Sequence, residues 1–336
     1  MKTILITGAA GMIGSNLVHH FLNSTDHKII ALDDLSGGYH ENLPLEKKRL
    51  SFHVGGVEDY KLTRAIFRAY KPNVVYHAAA YAAEGLSPFI RGYNYANNLV
   101  GTANIVSQCI NHDTERLVFL SSIAVYGHGG GSDIFKEFHI PRPIDPYGIA
   151  KYACEMDIKA AGEQHGLDYV IVRPFNVYGE RQNIWDKYRN VLGIWMYSYL
   201  NHKPIQIYGD GKQQRSFTYV GDIMEPLYQL GTQPKFSKEI YNIGSSIPYT
   251  LNELAKIFRT TVGDCHVEYL PARHEVKKAV CSVAKYSDLE DGSTTLQEGI
   301  SKMWDWVKSQ PARQQKEGPT YEVTKGMYEH WKIEKP

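Results

Sequence analysis

One turn of the chain limits its fold more than any other feature. Gly8-Ala9-Ala10-Gly11-Met12-Ile13-Gly14 follows an apolar strand-like run, Thr3 to Thr7, and opens a helical run, Met12 to Asn23. Such a turn lets the backbone close on a pyrophosphate, offers the helix's unpaired N–H groups to it, and allows tight packing of helix on sheet. The next strand-like run, Lys28 to Asp33, ends in an acid at the distance where an acid binds adenosine ribose hydroxyls. A dinucleotide on Gly8, Gly11, Met12, Ile13 and Gly14 is predicted. Asp33 favours NAD, because its charge repels the 2'-phosphate of NADP and neither Asp34 nor Leu35 supplies a compensating cation.

The pattern continues. Further strand-like runs cover Leu50 to Val54, Asn73 to His77, Arg116 to Ser121 and Tyr169 to Arg173, and helical runs cover Tyr60 to Tyr70, Tyr93 to Asn111 and Tyr147 to His165. Repeated βαβ units predict an α/β fold, a Rossmann-type doubly wound parallel sheet whose ligands sit beyond the carboxyl ends of its strands. After Gly179 the rhythm breaks, with a Gly-Asp-Gly turn at 209–211 and another periodic run from Leu251 to Thr260. Phe217 to Leu230 reads as a return to the first domain. We therefore expect a cofactor domain of residues 1–176 plus about 215–245, and a smaller, discontinuous C-terminal substrate-binding lobe of about 177–214 plus 246–336. The polar tail from Gln310 to Pro336 is expected to pack loosely.

Composition excludes several classes. With 336 residues, 43% hydrophobic and 22% charged, the chain is an ordinary globular one. Its net charge of +1 and the absence of a long Lys/Arg run argue against nucleic acid as a partner. No apolar window is long enough for a membrane span, and the strand beginning at Thr3 leaves no room for a leader, so a cytoplasmic location is expected. Cys109, Cys154, Cys265 and Cys281 lack metal-ligand spacing and sit in apolar stretches, as reduced core residues would. His19-His20 also lacks partners at such spacing, so no metal is predicted. His128-Gly129-Gly130-Gly131 reads as a mobile loop before the helix that begins at Tyr147.

That helix carries a phenol and an ammonium on one face, at Tyr147 and Lys151. The same spacing recurs at Tyr199/Lys203, Tyr208/Lys212, Tyr321/Lys325 and Tyr328/Lys332, so context must choose among them. Only Tyr147 follows an Asp-Pro helix start and a strand that ends near Ser122, where a doubly wound sheet presents its site. A neighbouring lysine and a positive nicotinamide would both favour the phenolate, tuning Tyr147 for proton transfer. Ser122 would hydrogen-bond the same substrate oxygen, and Lys151 would also reach the nicotinamide ribose.

At this point the sequence resembles the extended short-chain dehydrogenases/reductases, the NAD-dependent epimerase/dehydratase family, and within it the UDP-galactose 4-epimerase-like branch. The marks are Thr7 to Gly14, Asp33-Asp34-Leu35-Ser36, His77-Ala78-Ala79, Asn97-Asn98, Ser121 to Gly127, Tyr147 to Lys151, Arg173 to Gly179 and Arg215-Ser216-Phe217, spread over roughly residues 3–305. The resemblance implies NAD contacts from Asp34, Leu35, Ser36, Gly37, Val57, Ala78, Ala79, Ala80, Asn97 and Pro174, besides the glycine loop, Asp33, Tyr147 and Lys151. It implies a nucleotide-diphosphate sugar, UDP-linked, bound by Ala82, Ser122, Tyr147, Asn176, Arg215, Arg273 and Ala279, with the two arginines on the diphosphate. It also implies a homodimer paired through the helices at 93–111 and 147–165. In the family's 4-epimerases a bulky residue at the place of Ala279 excludes a 2-acetamido group, so the small residue here implies that such sugars are accepted.

The sequence departs from the family pattern in three places. Gly56 stands where an acid usually meets the adenine amine, Ala82 follows Tyr81 where a lysine often lies, and the Arg273-His274-Glu275 turn is one residue short. A 4,6-dehydratase needs an acid and a base beyond the tyrosine, and members resembling that class carry an acid just after the serine; Ile123 and Ala124 stand there instead. C4 epimerisation through a transient 4-keto sugar needs neither. A C4 dehydrogenase or 4-keto reductase uses the same three residues and stays open as an alternative, with a dinucleotide-sensing protein as the non-enzymatic one.

Overall fold

The computed structural model of this chain describes residues 1–127, 134–186, 188, 190–272, 278–286, 294–314 and 318–328. The first half alternates strand and helix: β1 (Thr3–Thr7), α1 (Met12–Ser24), β2 (Lys28–Asp33), β3 (Leu50–Val54), α2 (Tyr60–Tyr70), β4 (Val74–His77), α3 (Arg91–Tyr95), α4 (Gly101–Asn111), β5 (Arg116–Leu120), α5 (Pro146–Gln164) and β6 (Tyr169–Pro174). The second half holds β7 (Val177–Tyr178), α6 (Val191–Leu200), β8 (Ile205–Tyr208), β9 (Gln214–Ser216), β10 (Thr218–Tyr219), α7 (Met224–Thr232), β11 (Glu239–Ile243), β12 (Pro248–Thr250), α8 (Leu251–Thr261), β13 (Val267–Leu270), β14 (Lys278–Ala279) and α9 (Leu296–Ser309).

Seven strands form one parallel sheet in the order β11-β6-β5-β4-β1-β2-β3. The period of two sends Ile4 and Ile6 of β1 to one face, against Leu17 and Phe21 of α1 and Leu227 and Leu230 of α7. Leu5 goes to the other, with Phe67 of α2, Ile105 of α4 and Ile158 of α5. At roughly 1.5–3 kcal/mol per fully buried aliphatic side chain, the short strands outweigh any loop in fixing this architecture. The strand order reverses between β1 and β4, which opens a crevice beyond their carboxyl ends.

A second core lies around Trp195, Phe258, Ile300 and Met303, with α6, α8 and α9 packed beside β8 and β13. Both α8 and α9 begin with capping boxes, Thr250 with Glu253 and Thr295 with Glu298, which satisfy first-turn N–H groups.

Three features go beyond the periodicity. Strand β11, Glu-Ile-Tyr-Asn-Ile, makes the sheet seven-stranded rather than six. The helix expected from Tyr93 begins at Arg91 and widens into a π-turn at Ala96–Val100, which brings Asn97 and Asn98 to one backbone N–H, that of Tyr81. The tail is not loose throughout: Met327 is buried among Tyr81, Leu86, Phe89 and Ile90, because aromatic and apolar residues interrupt its polar composition. Cys109, Cys154 and Cys281 are buried and Cys265 half-buried, all free thiols, and no cluster of metal-ligating side chains occurs among the described residues.

Candidate active site

A cleft of about 710 Å³ runs along the carboxyl ends of the central strands and under the second lobe. At one end stand Gly8, Gly11, Met12, Ile13 and Gly14. Helix α1 starts at Gly11 with no side-chain cap, so its first N–H groups face the cleft as an anion site. Gly14 is required by packing: a Cβ there would lie 2.1 Å from the Gly8 carbonyl oxygen. The Asp33 carboxylate accepts the Ala10 N–H at 2.9 Å and the Leu35 N–H at 2.7 Å, fastening the loop to the end of β2. Burial pushes the Asp33 carboxyl up, against the lowering effect of these N–H donors. The cradle, the uncapped helix start and the acid fit a dinucleotide.

Asp34, Ser36, Gly37, Val57, Ala78, Ala79, Ala80, Asn97 and Pro174 line the same cleft. Leu35 is not on its main wall; it borders an adjoining hollow shared with Tyr81, Tyr93 and Pro319. His77, at the end of β4, bridges Thr7 at 2.7 Å and Thr102 at 2.9 Å, and burial, then the Lys151 charge, lowers it to about 3. It is a neutral strut between β1 and α4.

Ser122, Tyr147 and Lys151 all line the same cleft. Asp145 caps α5 by accepting the Gly148 N–H at 2.9 Å, and Pro146 sets its first turn, so Tyr147 and Lys151 project from one buried face. Lys151 donates to the Leu120 carbonyl at 2.7 Å and lies 4.7 Å over the Phe119 ring. Burial pushes its ammonium down to about 8, partly offset by Cys154 and Glu155. The Ser122 hydroxyl accepts the Ala124 N–H at 3.1 Å, a bond that leaves its own proton to donate.

Under this group lies a buried polar chain. Ser121 donates to Glu155 at 2.6 Å, Glu155 pairs with Arg173 at 2.6 Å, Arg173 donates to the Tyr126 hydroxyl at 2.8 Å, and that hydroxyl donates to Asn242 at 2.8 Å. It ties α5 to β6, to β11 and to the segment that follows β5. Breaking a buried pair of this kind by removing one partner costs about 3–5 kcal/mol.

Ile123 and Ala124 also line the cleft. Asp145 is committed to capping, and Glu84 is exposed. Asn176 and Arg215 also line the cleft, as does Ala82 from the segment that follows β4. Asn176 donates its amide N–H to the Ser216 carbonyl at 2.8 Å, which leaves its carbonyl oxygen for a ligand. Ala279 pairs with Arg215 in the parallel register of β14 and β9. Arg273 and the 128–131 loop lie outside the described residues.

Other wall residues had no motif to announce them. Gln182 is buried there, and neither amide atom has a partner among the described residues. An unpaired buried amide costs about 1–3 kcal/mol until something pairs it. Asn190 caps α6, while Gln213 and Phe217 flank β9 and Leu251 and Tyr328 come from two other segments.

The family model for the NAD dependent epimerase/dehydratase family matches residues 4–244. A putative UDP-glucose 4-epimerase of Methanocaldococcus jannaschii is 32% identical over 312 residues, covering 91% of this chain and 98% of that protein. Among solved structures, UDP-glucose 4-epimerase of Thermotoga maritima with UDP-glucose superposes with a TM-score of 0.85 at 29% identity, covering 91% of this chain and 98% of that one. The complex of Thermus thermophilus UDP-glucose 4-epimerase with NAD gives 0.84 at 29% identity, covering 91% and 99%.

Proposed function

This chain belongs to the NAD-dependent epimerase/dehydratase family, and on that premise we propose that it is an NAD-dependent 4-epimerase of UDP-sugars. The observation that carries the reading is one wall holding Ser122, Tyr147 and Lys151 beside an uncapped glycine-loop helix, with apolar Ile123 and Ala124 where dehydration would need proton carriers.

When bound, NAD supplies a reversible hydride acceptor for C4 of the sugar. Gly8 to Gly14, Asp33 to Gly37, Val57, Ala78 to Ala80, Asn97 and Pro174 are the residues to hold it. Tyr147 takes the C4 hydroxyl proton and later returns it, so the acid and the base are one group. Lys151 places a buried cation on the same helix face, which favours the phenolate as it forms. Ser122 donates a hydrogen bond to the same oxygen. Arg215 and Arg273 hold the nucleotide diphosphate, Asn176 binds the substrate beside them, and the flat keto sugar is left free to turn over. Ala279 gates the 2-substituent, and its size admits an acetamido group.

The domain division expected above, 1–176 plus about 215–245 against the remainder, is part of this reading. So is a homodimer through the helices at 93–111 and 147–165, on which Val100, Ile149 and Met156 are exposed apolar residues. No helix among the described residues is long and apolar enough to cross a membrane, and action in the cytoplasm is proposed.

The test is to incubate the purified protein with UDP-glucose without added cofactor and resolve products by NMR. The C4 epimer is expected. A 4-keto-6-deoxy sugar would mean dehydration, and stoichiometric release of a C4 ketone with reduced cofactor would mean a dehydrogenase.

A further inference from the structure

The tail does more than fill a groove. Its first anchor is Arg313, whose guanidinium lies 3.9 Å over the Tyr39 ring and 5.1 Å from that of Trp185, within reach of Glu41 at 3.6 Å. Its second is Glu322. The Glu322 N–H donates to the Phe89 carbonyl at 2.8 Å, and its carboxylate accepts the N–H groups of Gly92 at 2.6 Å and Tyr93 at 2.8 Å. These donors open α3, where intrahelical partners are missing and negative charge is favoured. They hold the Glu322 carboxyl below the ordinary range. The Tyr321 hydroxyl bonds that of Tyr188 on the cleft wall. A turn through Gly326 then reverses the chain and buries Met327 under the 81–90 segment.

The residue delivered by this turn is Tyr328, which lines the cleft with its ring 6.3 Å from that of Phe89. The 81–90 segment that Tyr328 meets through Phe89 also holds Ser87, whose hydroxyl accepts the Tyr147 N–H at 3.2 Å and donates to the Glu84 carbonyl at 2.8 Å. The loop that Tyr328 abuts is therefore bonded to the start of the helix that carries Tyr147 and Lys151. We propose that the C-terminal segment supplies Tyr328 as a specificity-determining residue, which contacts the sugar ring and not the nucleotide. A phenol offers an apolar face and a hydroxyl that both donates and accepts, which suits a ring of C–H and O–H groups. This rests on the reading of the cleft as a nucleotide-sugar site.

Calorimetry of the full chain with UDP and with UDP-glucose tests it without requiring turnover. Tyr328→Ala is expected to lower the preference for UDP-glucose over UDP about tenfold, with UDP affinity itself unchanged, and Tyr328→Phe to lower it less. An unchanged preference in Tyr328→Ala, or an equal loss for both ligands, would overturn the assignment. The epimerase reading stands or falls separately, on whether the wild-type protein interconverts C4 epimers.

Discussion

The two ends of the cleft are built differently. The cofactor end uses backbone: a loop that tolerates only glycine at Gly14, an uncapped helix start, and one carboxylate that ties Ala10 and Leu35 in place. The rest of the wall, where we propose the nucleotide-sugar binds, is lined by side chains from separate segments, among them Asn176, Gln182, Arg215 and Tyr328. Backbone recognition forces residue types at fixed spacing, whereas side-chain recognition leaves the spacing to the fold. The first end is suited to one constant ligand, and the second to varying ligands.

The sharpest division falls where the ends meet. Tyr147→Phe should lower turnover by about a thousandfold, within the range for a lost general acid–base group, while bound NAD, read by absorbance of the released cofactor, stays near the wild-type amount. A near-normal rate would place the chemistry elsewhere.

Lys151 gives opposite signs for stability and activity. Its folded value of about 8 lies below the ordinary 10.5, so between those pH values the unfolded chain binds more protons and stability rises with pH. The gain from this group is on the order of 3 kcal/mol. Its penalty is fully present below pH 8, where the cation is also available for catalysis. Turnover should therefore fall as pH rises through about 8 while resistance to denaturant grows. Lys151→Met should abolish that stability gain, as denaturation midpoints across pH would show.

Asp33→Ala probes the backbone-built end. Loss of a charge-assisted bond, worth about 1.5–3 kcal/mol, should weaken NAD by roughly tenfold to a hundredfold and NADP by much less. Equal losses in competing titrations would remove Asp33 as the ribose ligand. The smallest effect belongs to the other end. Ala279→Tyr should shift the kcat/KM ratio for UDP-glucose over UDP-N-acetylglucosamine by about tenfold. No shift would separate the gate from this position and leave the two ends alike in tolerance.

The same contrast explains what could be read from the chain. Runs such as Thr3 to Thr7 and Lys28 to Asp33 are legible because strands buried on both faces must be continuously apolar. The glycine loop is legible because its geometry dictates composition. Strand β11 is not, since it carries Asn242, a residue type that favours turns and that is buried here paired with the Tyr126 hydroxyl. Nor is the π-turn, which exists to bring two asparagines to the Tyr81 N–H and has no periodic signature. Gln182 and Tyr328 owe their places to tertiary packing alone. Tyr328 even belongs to one of the four repeated Tyr/Lys spacings set aside in favour of Tyr147, though it reaches the cleft from another side.

The position of Tyr328 bears on how the protein is handled. Eight chain steps lead from it to Pro336, a reach of at most about 29 Å when fully extended. A purification tag fused there would be tethered within that distance of the cleft wall that Tyr328 lines. Met1, almost fully exposed beside the amino end of β1, stands on the far side of the sheet from the ligand, so it is the end on which to place a tag or an immobilising linker.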